Sequence, residues 1–546
     1  MSKFKALLLL GAFLSFAACK NQQVEAGPKS TTSIEIIVDP NAKAILSNFK
    51  DLFEASHPRL GDGSEVRIKM SEIADVEAAQ RLSSGELKVP GWVVGPGVLS
   101  DFANANIKGL GAKQINCTPL FGSPIVLAAR KLDASLFSPN DVSSAPEFDI
   151  HDFAKARLLE IQTRRVPSHF FSLSRPTPDR SGVGLSAALT LAHVPLLEDS
   201  VINQSTFSDA SWLSKSRDIN SAFGHFDDRP GAIAMNDASH RSGVVPALLT
   251  TESEVIRYNR GFPDRSLIAL YPSTGSYWLD YQICSSDAGW NNRAQRVGLK
   301  MFADFMLLPT STATIINSGF RPATKATFPE SLQSLGVNLR YPKKNLSHAS
   351  VAATSAMIKQ WQNFQHPSLV MIVLDGTAIM EGDRFERSRA KIIEMFKTKR
   401  DSKSVYGVIN VGYDATLVAP LSTDTSELTN QLVDLRAQGG ASVADGIRLA
   451  TSFFSKEGLE TYRKILLVVT SGEDDRAKLT LASLPDSNLS ENGIVIHYVS
   501  IVPPGANAKP ERPTEISLLP RSDQLVYHSV EYKEIELKLS EIARFW

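Results

Sequence analysis

Cysteine is scarce in this 546-residue chain, which has only Cys19, Cys117 and Cys284. The ten histidines are scattered, so no cluster of Cys and His indicates a zinc site. An excess of one charge is also missing, because Lys plus Arg and Asp plus Glu both total 58. Nucleic-acid binding requires a basic surface, and this balance argues against it.

Catalytic signatures are missing as well. The chain has no Gly-x-Ser-x-Gly, no His-Glu-x-x-His and no Walker-type phosphate loop. The acidic run Glu473-Asp474-Asp475 is typical of a solvated loop. We therefore expect a binding protein and not an enzyme.

Only one long apolar run stands out, from Ala6 to Ala18, and it is too short for the roughly 20 residues that span a bilayer. It follows Lys3 and Lys5, which is typical of a secretory signal peptide over residues 1–18. The run ends in Phe16-Ala17-Ala18-Cys19, which resembles the lipobox of bacterial lipoproteins, although Phe16 replaces the usual Leu.

That resemblance implies acylation of Cys19 and a lipid-anchored, extracytoplasmic protein of the bacterial cell envelope. Lys20 in place of Asp favours the outer membrane if the cell is Gram-negative. Residues 19–32 are polar and are expected to form a spacer. The alternative is an ordinary signal peptide with an incidental cysteine.

The other two cysteines, Cys117 and Cys284, leave two alternatives open. Export permits a disulfide between them. Two buried free thiols fit the sequence equally well, because spacing does not show whether their α-carbons meet.

Alternating strand and helix patterns predict an α/β fold in two parts, residues 33–325 and 367–546. The polar, partly helical stretch 326–366 is predicted to be a linker between them. In the second part, Leu369–Leu374 is fully apolar, as in the middle of a parallel sheet. The further strands and helices predicted there are Tyr406–Val411, Ile465–Val469, Ile494–Ile501, Arg384–Thr398, Thr425–Gln438, Ser442–Ser455 and Tyr532–Phe545.

Three segments of the second part carry a resemblance. They are Asp375 to Gly382 (DGTAIMEG), Gly439 to Gly446 (GGASVADG) and Leu467 to Asp474 (LVVTSGED). In this order they resemble the three loops of a von Willebrand factor type A (VWA) domain. The resemblance implies a doubly wound, Rossmann-like sheet and a role in protein–protein interaction.

The metal loops of such domains are degenerate here. The family's first loop reads Asp-x-Ser-x-Ser; this chain keeps Asp375 and a hydroxyl at Thr377 but has Ile379 in place of the second serine. Ala441 stands where the family has Thr, and Ser471 where it has Asp. A cation such as Mg²⁺ needs hard oxygen ligands, so we expect no bound cation and no cofactor. Ser442 and Glu473 lie off the matched positions, and Asp375 and Thr377 are expected to hydrogen-bond within the loop.

The first part resembles type II periplasmic solute-binding proteins in an ordered set of short segments. They are Val89 to Pro96 (VPGWVVGP), Phe121 to Ala128 (FGSPIVLA), Tyr258-Asn259-Arg260, Leu270 to Ser276 (LYPSTGS), Asp280-Tyr281 and Gly319 to Pro322 (GFRP). The resemblance implies two α/β lobes with a ligand cleft between them, which closes around a small solute.

Five residues are candidates for lining that cleft: Ser123, Ser181, Tyr271, Thr274 and Ser276. Ser181 precedes a helix, whose free amides suit an anion. The alternative is that Ser181 only caps the helix and that the turn after Tyr271 is only structural.

Taken together, these patterns predict a membrane-anchored adaptor that binds another envelope protein through its VWA-like domain and has a small-ligand cleft in its first domain. Two alternatives remain. One is the receptor of an ABC-type transport system, and the other is a structural component of an envelope complex.

Overall fold

The computed structural model describes most of the chain. The described residues are 30–105, 107, 114–131, 134–138, 145–150, 173–196, 201–221, 223–226, 247–324, 326–347, 349–361, 367–397, 403–440, 443–454, 462–471, 494–502 and 525–543. Cys19 and the predicted signal peptide lie outside them. No helix in the described part of the chain is long and apolar enough to cross a membrane.

The first domain is built on a mixed sheet with the strand order β2-β1-β3-β10-β4-β8-β6-β7, with β11 and β9 also paired to β4 and β5 paired to β9. Its strands are β1 (Thr31–Val38), β2 (Glu65–Glu72), β3 (Gly91–Val94), β4 (Ile115–Arg130), β5 (Glu147–Phe148), β6 (Leu173–Arg175), β7 (Phe223–Phe226), β8 (Ala247–Thr251), β9 (Leu267–Pro272), β10 (Trp278–Ser286) and β11 (Arg321–Pro322). Thr31 and Thr32 pair with β2, so the predicted spacer extends two residues too far.

Helices cover the faces of this sheet. They are α1 (Lys43–Ala55), α2 (Asp75–Ser83), α3 (Val98–Ala105), α4 (Ala134–Phe137), α5 (Gly182–His193), α6 (Ala210–Ser221), α7 (Glu252–Gly261), α8 (Arg293–Met306), α9 (Thr312–Asn317) and α10 (Val351–Gln360), with 3₁₀ turns at Gln204–Ser208, Pro263–Arg265, Pro309–Ser311 and Glu330–Leu335. Helix α1 buries Ile45, Leu46, Phe49 and Phe53, which share one face at helical spacing.

The sixteen-residue strand β4 joins the two lobes. Its first half pairs with β10 beside the parallel strands β1–β3, and its second half pairs with β8 and β9. Cys117 on β4 lies opposite Cys284 on β10, and the structure joins them in a disulfide with α-carbons 4.1 Å apart. Of the two alternatives left open by the sequence, the structure contains the disulfide.

The predicted linker, residues 326–366, is corrected by the packing of its described residues. Ala353, Met357 and Trp361 recur at helical spacing and are buried in the core of the first domain. Helix α10 contacts α3 in the first lobe, and α5 and the 3₁₀ turn Gln204–Ser208 in the second. The exposed polar residues of this stretch lie mainly before α10, between Glu330 and Ser350, whereas α10 itself is largely buried and lies across both lobes.

The second domain has a six-stranded sheet in the order β14-β13-β12-β15-β16-β17, in which only the edge strand β14 is antiparallel. The strands are β12 (Ser368–Asp375), β13 (Val405–Val411), β14 (Ala415–Leu417), β15 (Arg463–Thr470), β16 (Val495–Val502) and β17 (Leu525–Glu531). The helices are α11 (Asp383–Lys397), α12 (Ser426–Asp434), α13 (Val443–Phe453) and α14 (Ile535–Ala543), with a 3₁₀ turn at Ala378–Met380. Separate apolar clusters cover the two faces of this sheet, as a doubly wound fold requires.

The disulfide predicts a measurable loss of stability when it is removed. We expect Cys117→Ala/Cys284→Ala to lower the free energy of unfolding of the first domain by about 2–5 kcal/mol, because the cross-link closes a long chain segment in the unfolded state. Urea unfolding followed by tryptophan fluorescence measures it, since five of the six tryptophans lie between Trp92 and Trp361. Reductant should destabilise the wild type and leave the double variant unchanged; equal midpoints for the two proteins would contradict the prediction.

Candidate functional site

The carboxyl ends of β1, β2 and β3 meet at one edge of the first lobe, which is the edge where open α/β sheets bind ligands. Asp39 directly follows β1, and Asp75 begins helix α2 after β2. Gly95 directly follows β3, and its amide donates a hydrogen bond to Asp75 Oδ2 at 3.3 Å. Both aspartates are almost fully buried.

The start of helix α5 in the second lobe lies directly against this edge. A β-carbon at Gly182 would sit 1.6 Å from the carbonyl oxygen of Gly95 and 2.6 Å from Asp75 Oδ2, so only glycine fits there. The amide of Val76 donates a hydrogen bond to the carbonyl oxygen of Arg180 at 3.2 Å, which joins the lobes. The cleft is therefore closed at this point, with no space for a ligand between Gly182 and Gly95.

Burial of the two carboxyl groups changes their acidity. Asp39 Oδ1 accepts hydrogen bonds from the Asn41 amide at 2.8 Å and from the Tyr281 hydroxyl at 3.1 Å. Desolvation raises the pKa of Asp39. It also raises the pKa of Asp75 well above its ordinary value, and the neighbouring charge of Asp39 raises it further. Two carboxyl groups so close in a dry site favour one shared proton.

Three of the predicted cleft serines are hydrogen-bonded within the protein. Ser181 Oγ accepts a hydrogen bond from the Gly184 amide at 2.9 Å, so it caps α5. Ser123 Oγ accepts one from the Ser253 amide at 2.9 Å, and Ser276 Oγ donates to the carbonyl oxygen of Ile125 at 2.7 Å. All three serines are buried. Ser181 lies at the contact between the lobes, whereas Ser123 and Ser276 lie along β4.

Tyr271 belongs to a buried charged network at the base of the second lobe. Its hydroxyl donates to Glu252 Oε2 at 2.5 Å and accepts from the Asn338 amide at 3.1 Å. Arg321 Nε donates to Glu252 Oε1 at 2.8 Å. This network holds Tyr271 in place, and its hydroxyl is already used both as a donor and as an acceptor within the protein. Thr274 is half-buried in the turn that follows, and no contact shown here gives it a role.

Sequence reasoning missed Asp39 and Asp75 at the closed contact. Tyr281 stood only within the Asp280-Tyr281 segment of the resemblance, and Gly182 only beside the cleft candidate Ser181, without a role of their own. A signal for Asp39 was present, because it follows an apolar strand in the same way that Asp375 does. No such signal marks Gly182, whose role depends on a carbonyl group from the other lobe.

In the second domain, the carboxylate of Asp375 at the end of β12 is fully engaged. Asp375 Oδ1 accepts hydrogen bonds from the Thr377 amide at 3.0 Å and the Thr377 hydroxyl at 2.7 Å. Asp375 Oδ2 accepts one from the Thr470 hydroxyl at 2.7 Å. The two vestigial ligand positions, Asp375 and Thr377, therefore satisfy one another within the loop, and Thr470, at the end of β15, completes the set.

The donors at this edge do not fit a divalent cation. Asp375 has both oxygens occupied, Ile379 offers only hydrocarbon, and Ser471 is a buried neutral hydroxyl that has no hydrogen-bond partner among the described residues. Ala441, Ser442 and Glu473 lie outside the described residues. Within the described part of the chain, no group of three or more His, Cys, Asp or Glu could hold a metal ion.

The same edge presents apolar side chains to solvent. Ile379 is 40% exposed and Tyr413 is 74% exposed. Their loops lie side by side, because the Gly376 amide donates to the carbonyl oxygen of Val411 at 2.8 Å and a β-carbon at Gly439 would touch the backbone of Gly412 and Tyr413. Two large side chains, Ile379 and Tyr413, are therefore exposed on neighbouring loops at this edge, beside the exposed acids Glu381 and Asp414.

Comparisons with known proteins found similarities to each of the two domains. Residues 370–473 match the family model of the von Willebrand factor type A domain. Among solved structures, a periplasmic thiamin binding protein matches at 13% identity, over 61% of this chain and 96% of its own, with a TM-score of 0.43. The fructose-6-phosphate-bound periplasmic binding protein AfuA from Actinobacillus pleuropneumoniae matches at 12% identity over 61% and 98%, with a TM-score of 0.41.

The VWA domain of SpRpn10 matches at 18% identity, over 32% of this chain and 94% of its own, with a TM-score of 0.27. No curated protein matches the chain. The predicted α/β fold class is confirmed: a mixed α/β first domain precedes a second domain with a Rossmann-like sheet, and residues 370–473 of that second domain match the VWA family model.

Proposed function

We propose that this chain is a membrane-anchored extracytoplasmic adaptor that holds another envelope protein through its VWA domain. The observation that carries the proposal is the state of Asp375, whose two carboxylate oxygens are used inside the protein. A partner's carboxylate therefore has no cation to bind at this edge. Contact must come instead from the exposed side chains around it.

Ile379 and Tyr413 supply such a contact surface. Tyrosine is enriched among the residues that contribute most to protein–protein affinity, because its rigid ring buries a large apolar area. We place the partner's contact on these two exposed side chains, because their loops are neighbours at the edge that carries Asp375. The partner is then a protein with an apolar recess, held without a metal bridge.

The alternative role of solute receptor receives less support from the first domain. Its lobes are in direct contact at Gly182, and its predicted cleft serines are hydrogen-bonded to the protein itself. A small-solute site would require the lobes to separate first. The closed domain fits a spacer or scaffold for the VWA domain.

The interaction surface is tested by introducing charge at its centre. We expect Ile379→Glu/Tyr413→Glu to weaken capture of the partner at least tenfold, because burying two carboxylates in an apolar contact is costly. Affinity purification of the anchored full-length protein after in-cell crosslinking, with quantitative mass spectrometry, measures the capture. Val297→Glu, at a residue 43% exposed on α8, is the matched control and should capture as the wild type does.

Partners that persist unchanged in the double variant would refute this surface as the interaction site. Loss of the same partners from Val297→Glu would do so too, because any added charge would then be sufficient.

Independence from metal is a separate prediction. We expect calorimetric titration of the full chain with Mg²⁺ or Mn²⁺ to show no binding in the micromolar range, because the edge offers one carboxylate that is already hydrogen-bonded. Asp375→Ala is the control that removes this carboxylate. Micromolar binding by the wild type that is lost in Asp375→Ala would contradict the prediction.

The anchor is tested at Cys19. We propose that Cys19 carries the lipid, which the lipobox-like segment and the polar residues after it support. Cys19→Ser should move the protein from the membrane fraction to the soluble extracytoplasmic fraction, since bacterial acylation requires the thiol. A Cys19→Ser protein that stays membrane-bound after alkaline washing would contradict a lipid anchor.

A further inference from the structure

Two buried acids lie at the edge of the first lobe that the second lobe covers. Asp39 lies at the end of β1 and Asp75 at the first position of α2, and both are about 99% or more buried. Both carboxyl groups lie beside the same two residues: Asp75 Oδ2 accepts from the Gly95 amide, a β-carbon at Gly95 would lie 2.9 Å from the Tyr281 ring, and the Tyr281 hydroxyl donates to Asp39. Two ionised carboxylates in one dry contact repel each other, so the pair favours a state that holds one proton.

The remaining polar atoms of the pair show where the proton must be. Asp39 Oδ1 and Asp75 Oδ2 accept from protein donors. Asp39 Oδ2 and Asp75 Oδ1 have no protein donor among the described residues. Leaving a buried charged oxygen without a donor is costly, so a proton between the two carboxyl groups is what the site requires.

The titratable groups around the pair include Tyr281, Asp280 and Glu254, and Glu254 is itself ion-paired with Arg257 on α7. Tyr281 on β10 donates its hydroxyl to Asp39. Glu254 on α7 acts electrostatically on Tyr281, and Asp280 on β10 accepts from the Gly97 amide at 3.1 Å. From the second lobe, the start of α5 contributes backbone atoms and Gly182, with Asp75 Oδ2 close to the Gly182 position.

Closure of the lobes is what removes water from the pair. Gly182 and Gly95 touch, and the Val76 amide binds the carbonyl oxygen of Arg180, so the second lobe covers Asp75 from one side. If the lobes separate, water solvates the carboxyl groups, and their pKa falls toward the ordinary value, so that the shared proton is released. Proton binding and closure are therefore linked.

We propose that Asp39 and Asp75 form a proton-sharing latch that holds the lobes closed, and that loss of the shared proton opens the cleft. The latch is independent of the VWA surface described above. It makes the first domain respond to the pH outside the cytoplasm.

The sign of the effect follows from the direction of the shifts. In the closed form the pKa of both groups is raised above the ordinary value of 3.8, which water-exposed carboxyls approach in the open form. The closed form thus binds more protons. The stabilisation of the closed form by protons is therefore complete at pH values below 3.8 and is lost as the pH rises through the raised pKa. For each proton released, the closed-to-open ratio falls by up to tenfold per pH unit.

Single-molecule fluorescence energy transfer across the cleft tests the latch. Dyes are attached to cysteines introduced at the exposed residues Lys69 on β2 and Lys215 on α6, in the full chain with Cys19→Ser and its disulfide intact. From pH 5 to pH 9 we expect the wild type to shift from one high-transfer population toward a low-transfer one. Gly182→Ala, which wedges the contact, provides the low-transfer reference.

Asp75→Asn should stay closed across the range, because its amide donates permanently to Asp39. Asp39→Asn provides a second test with the same expectation of a lost pH response. Asp51→Asn, at an aspartate on α1 whose side chain is 76% exposed, is the matched control and should follow the wild type. A wild type whose transfer does not change with pH would overturn the latch, as would Asp75→Asn and Asp39→Asn variants that respond to pH as the wild type does.

Discussion

The contact of Gly182 with the carbonyl group of Gly95 is the constraint on which the first domain depends. It brings the N-terminal end of α5 onto the edge where β1, β2 and β3 end, and this edge is where such sheets usually receive a ligand. Three further features accompany this close approach. Asp39 and Asp75 are buried, the Val76 amide bonds to the Arg180 carbonyl, and α10 lies across both lobes. A side chain as small as a methyl group at position 182 would separate them.

In the second domain, too, groups of the chain itself satisfy a buried carboxylate at the carboxyl edge of the sheet. Asp375 follows a fully buried strand, and its carboxylate is placed where a metal ligand would be. Two threonine side chains and one amide satisfy it instead. In both domains the edge that could bind a ligand is filled by groups of the chain itself. Among the described residues, the exposed side chains beside Asp375 are therefore the basis of the proposed adaptor function.

The sequence predicts much of the fold because buried parallel strands are continuous apolar runs. Leu369–Leu374 was predicted and Ser368–Asp375 is observed, and helix Arg384–Thr398 was predicted where Asp383–Lys397 is observed. The linker was misjudged because the polar residues before α10 outweigh the short buried helix, whose buried residues are Ala353, Thr354, Ala356, Met357 and Ile358. The engaged state of Asp375 was foreseen from the missing ligands around it. Thr470 as its partner was not foreseen, since that depends on the register of β15 beside β12.

The site in the first domain was predicted less well for a physical reason. Ser123, Ser181 and Ser276 were chosen as polar residues near glycines and turns, but such residues also satisfy backbone groups in a closed fold. The decisive residues are a glycine and two acids from distant parts of the chain. Their role in the contact can be recognised only from the way the two lobes pack against each other.

Hydrogen–deuterium exchange at the Val76 amide tests the closed contact most directly. Val76 is in the first turn of α2, where amides have no partner within the helix, so its protection depends on the carbonyl oxygen of Arg180 in the other lobe. In protein refolded from denaturant to remove any ligand, at pH 5, slow exchange at Val76 that becomes fast in Gly182→Ala is predicted. Fast exchange at Val76 in the wild type under these conditions would contradict a first domain that closes on itself.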